Sequence, residues 1–139
     1  MARLAWANRP PGGPGRPSRP RRRRPSLPSA NNGEEPPVIH VVAVITARPG
    51  QREALLALFR ANIPAVLAEE GCIEYGPVID LPDFGPVQTP IGPDSFMVIE
   101  KWSSPETLRA HGAAPHMRAY AEASREMVAS RAVHVLTAA

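Results

Sequence analysis

Imidazole, carboxylate, phenol and indole side chains set among apolar neighbours are the groups of this chain best suited to chemistry. Four histidines stand at positions 40, 111, 116 and 134. An imidazole titrates near neutrality, so each can act as a base, a hydrogen-bond donor or a metal ligand, and each can equally be a capping or part-buried structural side chain. None lies in an H-E-x-x-H or comparable ligand spacing, and the single cysteine, Cys72, brings no second thiolate. His111 and His116 are separated by Gly112 and Pro115, so they do not share one regular helical face. No metal site is expected. Glu100 sits in an otherwise apolar run beside Phe96, Val98 and Trp102. A buried carboxylate without a partner is costly, which leaves Glu100 either an ion pair across a subunit contact or a tuned place in a pocket. Tyr75 and Trp102 have apolar bodies with polar tips, which suits an aromatic ligand and suits a core equally well. Cys72 reads as a small, inert core residue. The chain has no phosphate loop, no dinucleotide glycine fingerprint and no nucleophile elbow.

The elements that must position these groups follow from periodicity. Val38 to Ala47 is a β-branched run, apolar at both parities, which predicts a strand buried on two faces. After Arg48-Pro49-Gly50, residues Gln51 to Glu70 carry Leu55, Leu58, Phe59, Asn62, Ile63, Val66 and Leu67 at helical spacing. Pro64 is expected to kink or divide that helix, and Gly71 to stop it. Cys72 to Asp80 reads as a strand whose Pro77 favours an edge or a bulge. Pro82, Gly85, Pro86, Pro90, Gly92 and Pro93 make Leu81 to Asp94 a loop, and Ser95 to Trp102 resumes as a strand. A short helix then starts by one of two caps: Ser103 with Glu106, or Ser104 with Pro105 at the first position. It ends at Gly112. Pro115 opens another helix, with Met117, Tyr120, Ala121, Ser124, Met127 and Val128 on one stripe, and Val133 to Thr137 forms a last strand.

This order predicts an α+β fold, a ferredoxin-like βαββαβ sandwich with a four-stranded antiparallel sheet. Its helices can cover one sheet face only. A first strand apolar on both sides needs a second cover, so a homodimer packed sheet against sheet is expected.

Charge and proline divide the chain at the same place. Residues 1–37 hold nine of the eighteen prolines and eight arginines against Glu34 and Glu35, a charge of +6, whereas residues 38–139 carry −3. The first segment has too little apolar surface to offset the ~1–2 kcal/mol lost per ordered residue, and reads as a disordered extension ahead of one domain at 38–139. Weak, salt-sensitive phosphate contact is the only nucleic-acid role it suggests, because the domain advertises no basic face. Pro25-Ser26-Leu27-Pro28-Ser29 after Arg21-Arg22-Arg23-Arg24 stands where an export signal needs an apolar run, and Pro10, Pro11, Pro14, Pro17, Pro20, Pro25 and Pro28 argue against an amphipathic transit helix. No run approaches the ~18 apolar residues of a membrane span. The expectation is a soluble, cytoplasmic protein without membrane contact.

Several stretches resemble the antibiotic biosynthesis monooxygenase domain, a quinol monooxygenase-like group of the dimeric α/β-barrel superfamily. They are the opening strand with Ala47-Arg48-Pro49-Gly50, then Glu69-Glu70-Gly71-Cys72-Ile73-Glu74-Tyr75, then Val98-Ile99-Glu100-Lys101-Trp102, and His111 with Ala114-Pro115-His116-Met117. Glu70 departs from the proline common there, and the 81–94 segment is longer than in minimal members. The resemblance implies oxidation of a small phenolic or quinol-type aromatic by O2 with no cofactor and no metal. On that chemistry Glu100 or His111 is the candidate base, His40, Tyr75 and His116 are orienting donors, Trp102 is a pocket wall and Tyr120 a further substrate contact. The same superfamily includes non-catalytic, ligand-binding or stress-associated dimers and haem-degrading enzymes. The haem-degrading members place an axial histidine near position 121, where this chain has alanine.

Overall fold

Alternate residues of the first strand, β1 (Ile39–Ala47), are buried, and those between them, including His40, Val42 and Val44, are half-buried. One side of β1 therefore enters the core while the other is only partly covered. The computed structural model describes residues 37–139. The Arg/Pro-rich segment, with the disorder and phosphate contacts expected of it, lies outside the described residues apart from Pro37.

Helix α1 (Arg52–Leu67) follows, then β2 (Cys72–Val78), β3 (Ser95–Trp102), α2 (Pro105–Gly112), α3 (Pro115–Ser124), a 3₁₀ turn at Arg125–Met127 and β4 (Val128–Leu136). The sheet is antiparallel in the order β2-β3-β1-β4. This is the split βαβ arrangement of the ferredoxin-like sandwich, with β2 at the edge as Pro77 predicted. A register shift between Cys72 and Glu74 marks a bulge in the same strand.

Helix α1 is continuous. Pro64 stands in its last turn and does not divide it, because the helix ends three residues later at Leu67 and only one internal amide bond is forgone. Leu55, Leu56, Phe59 and Val66 are its buried residues, packed on the helix-facing side of the sheet with Val41, Phe96 and Trp102. Of the two caps open to α2, the fold uses Ser104. Its hydroxyl accepts from the Thr107 amide at 3.2 Å, the Thr107 hydroxyl stands 3.3 Å from the Ser104 amide, and Pro105 occupies the first turn.

The last strand corrects the sequence reading. It begins at Val128 rather than Val133 and pairs with β1 from Ala47↔Val128 to His40↔Leu136. Ala129 to Ala132 carry no apolar alternation, so backbone pairing with a strong central strand extends β4 where side-chain pattern does not. Among the described residues no helix is long and apolar enough to cross a membrane.

Candidate active site

Strand pleat decides which side chains meet. On β3 the even-numbered residues Phe96, Val98, Glu100 and Trp102 face the helices, and on β1 the odd-numbered residues do. Between that side of the sheet and helices α2 and α3 lies a cavity of about 730 Å³, within the size range of small-molecule sites. Val41, Ala43, Ile45, Phe59, Val98 and Leu108 make most of it apolar, and Tyr75, Glu100 and His111 bring polar atoms to it.

Glu100 is 7% exposed, and its Oε1 accepts a 2.9 Å hydrogen bond from the indole N–H of the fully buried Trp102. Burial pushes the carboxyl above the ordinary carboxylate range, against the opposing pull of the Trp102 bond and of His111 and Arg131. His111, from α2, places Nε2 3.9 Å from that same oxygen. Its other nitrogen, Nδ1, lies 2.7 Å from Oε2 of Glu69, which follows the end of α1. With the Glu69 carboxylate accepting, Nδ1 carries the proton and Nε2 presents its lone pair toward Glu100 and the cavity.

His116 closes the group from α3. Its Nδ1 lies 3.2 Å from Asn62 Oδ1, and Asn62 turns its amide nitrogen to Met117 Sδ at 3.2 Å, so the oxygen faces the imidazole and Nδ1 donates. His116 Nε2 is buried without a hydrogen-bond partner among the described residues, 3.7 Å from Glu69 Oε2. Glu69 thus stands between two imidazoles. Tyr75 stacks on Phe59 with ring centres 5.2 Å apart and meets His111 edge-on at 5.5 Å. Burial and the neighbouring Glu100 push its phenol far up, and burial also raises Tyr120, so both remain donors rather than phenolates. Burial and the nearby carboxylates raise the Cys72 thiol too, the reverse of what a thiolate nucleophile requires.

Trp102, expected as a pocket wall, is fully buried and outside the lining, meeting Glu100 and His111 instead, and His116 meets Asn62 and Glu69 outside the lining as well. Of the other candidates, Glu100, His111, Tyr75 and Tyr120 line the cavity. His40 does not. It points to the opposite side of the sheet, because its parity on β1 is that of Val42 and Val44. His134 pairs with Val42 and shares that side. Sequence reasoning missed Glu69, Asn62 and Arg131. Asn62 had a signal, as the one amide on the α1 stripe, whereas Glu69 read as part of the end of that helix, off its apolar stripe, with nothing to single it out. Among the described residues no three His, Cys, Asp or Glu side chains are grouped so as to hold a metal ion.

Comparison with known proteins bears on the family and the fold. The family described as "Antibiotic biosynthesis monooxygenase" matches residues 38–123. The Escherichia coli protein named "Probable quinol monooxygenase YgiN" is 41% identical over 101 residues, spanning 71% of this chain and 96% of that protein. Among solved structures, PA3566 from Pseudomonas aeruginosa matches with a TM-score of 0.63 and 25% identity, covering 77% of this chain and 99% of its own. Rv0793 from Mycobacterium tuberculosis matches with a TM-score of 0.60 and 27% identity, over 73% of this chain and 95% of its own.

Proposed function

The chain belongs to the antibiotic biosynthesis monooxygenase family, and from that premise we propose that this monooxygenase oxidises a small phenolic or hydroquinone-type aromatic with O2 in the cavity beneath α2 and α3. The observation that carries the reading is Glu100, a carboxyl held in an apolar chamber by Trp102 with the Nε2 of His111 at 3.9 Å. A hydroquinone and O2 give a hydroxyquinone and water. One oxygen atom enters the ring, the other leaves as water, and the four electrons come from the substrate.

The protein's part is to take a proton and to hold the electron-rich anion that remains. His111 Nε2 is the base best placed to accept it, because Glu69 fixes the tautomer that leaves this nitrogen bare. Glu100 takes the proton on, or accepts it directly from a hydroxyl lying between the two groups. The Tyr75 hydroxyl, kept protonated by burial, supplies a donor for the developing oxyanion. The apolar walls exclude water, which strengthens each of these interactions.

Oxygen uptake above the autoxidation background, measured with a hydroquinone for the wild type, Glu100→Gln and His111→Ala, tests the reading. Each variant is expected to lose roughly 10²–10⁴-fold in turnover. Unchanged rates in both variants overturn the assignment, and absence of uptake in the wild type favours a ligand-binding role without turnover.

The partly covered side of the sheet, with Val42, Val44, Met97 and Ile99 half-buried, supports a homodimer packed through that side.

A further inference from the structure

The cavity has a direction. Glu100, His111 and Tyr75 are its buried polar lining, and Arg118, Arg125 and Arg131, all exposed, complete the lining on the α3 and β4 side. Arg131 is placed there by register. It stands opposite Ile45 in the β1–β4 ladder, and Ile45 is itself a wall residue, so both project to the helix-facing side of the sheet. Val133 and Val135 share that side and continue the apolar wall.

Among the described residues neither Arg118 nor Arg131 forms an ion pair, and Arg125 meets only its exposed neighbour Glu126, at 3.9 Å. One exposed arginine means little. Exposed guanidinium groups with no carboxylate of the cavity in ion-pair contact, on the lining of a largely apolar chamber whose one acid, Glu100, is buried, have the chemistry to receive a planar anion.

We propose that the ligand of this cavity is an anionic aromatic, a phenol or hydroquinone whose remote carboxylate is held by Arg131 while its hydroxyl lies at Glu100 and His111. The inference rests on the reading of the cavity as the oxidation site and narrows its substrate class. The register bounds the ligand's length. Arg131 is opposite Ile45, and Glu100 is opposite Val41, so the two are offset by four residues along β1 and by two strand spacings. Strand geometry turns this into Cα atoms about 16 Å apart, and side chains reaching in from both ends leave roughly 6–9 Å, the length of one or two fused rings.

The test compares a naphthohydroquinone bearing a short carboxylate side chain remote from its hydroxyls with the methyl ester of the same compound. Affinity is read by indole fluorescence quenching under anaerobic conditions, and kcat/KM by oxygen uptake. The full-length wild type is expected to favour the acid at least tenfold in affinity, with the preference shrinking as salt rises. Arg131→Gln is expected to lower the acid-to-ester ratio about tenfold and Arg131→Lys to restore part of it, both with unchanged circular dichroism. Equal affinity for acid and ester in the wild type, or an acid preference that survives Arg131→Gln, overturns the inference. If the acid binds with an Arg131-dependent preference and is never oxidised, the anion site stands and the oxidation reading falls. If acid and ester are oxidised equally well, the reverse holds.

Discussion

At Glu100, burial and charge oppose one another, and the direction of the balance has a measurable consequence. Its folded-state pKa lies above the ordinary value of 4.5, with burial as the leading cause. A raised pKa means that the stabilising, protonated form is fully present below the unfolded value and is lost as pH rises through the folded one. Above the folded-state value the ionised carboxylate therefore costs stability. Glu100→Gln is expected to melt higher than the wild type at pH 8, and the gap should close as pH falls toward 4; a variant that melts lower at pH 8 would show that the Trp102 and His111 contacts outweigh burial. On the proposed mechanism Glu69, 2.7 Å from His111 Nδ1, acts through that imidazole rather than on substrate. Glu69→Gln removes the acceptor charge that fixes the tautomer and should lower kcat roughly 10- to 100-fold while leaving KM within a factor of two or three. It should also shift the pH–rate profile, which a purely structural residue would not do. Glu100 was legible in the sequence because an acid in an apolar strand is an anomaly. Glu69 was not, since an acid at the end of a helix reads as a solvated side chain until α2 is seen to bring His111 beside it.

The elements hold these residues through a few close approaches. Gly71, at φ +80°, turns the chain out of α1 and accepts the Ser103 amide at 2.9 Å. A Cβ there would meet Thr107 Cγ2 at 2.5 Å and Ser103 Oγ at 2.6 Å, so the end of α1 and the start of α2 lie against each other at this point. Gly71→Ala is expected to cost about 1–3 kcal/mol for the strained backbone, with more from the clash. Because Glu69 is two residues away, the same change should lower activity at temperatures where the fold is intact, which chemical denaturation and oxygen uptake on one sample would separate. The helices and the first three strands were readable from apolar spacing and from proline and glycine stops. The start of β4 was not. Ala129 to Ala132 lie on an edge strand with both faces exposed, so no apolar alternation marks them, and the β1 ladder decides their conformation.

For the molecule as a whole, the half-buried side of the sheet bears on assembly. His40 and His134 lie on that side, away from the cavity, and a dimer formed through it would leave each cavity intact on its own protomer. Light scattering of the full chain at micromolar concentration is expected to give twice the mass of the 15.0 kDa protomer. Val42→Asp or Ile99→Asp should shift it toward the protomer mass, since burying an unpaired charge in an apolar contact is costly. A monodisperse 15.0 kDa species in the wild type would overturn the dimer.

Local pattern alone determined the order of elements, the apolar stripes, the edge position of β2 and the unusual acid in β3, because side-chain periodicity and backbone punctuation act over a few residues. It also carried the family resemblance. Only the tertiary structure decided that His40 faces away from the cavity, that Glu69 joins His111 across 42 positions, and that Arg131 stands opposite Ile45. Those relations depend on strand register and on where helix ends cross. Both are set by how distant segments pack together, and no single segment of the chain contains that information.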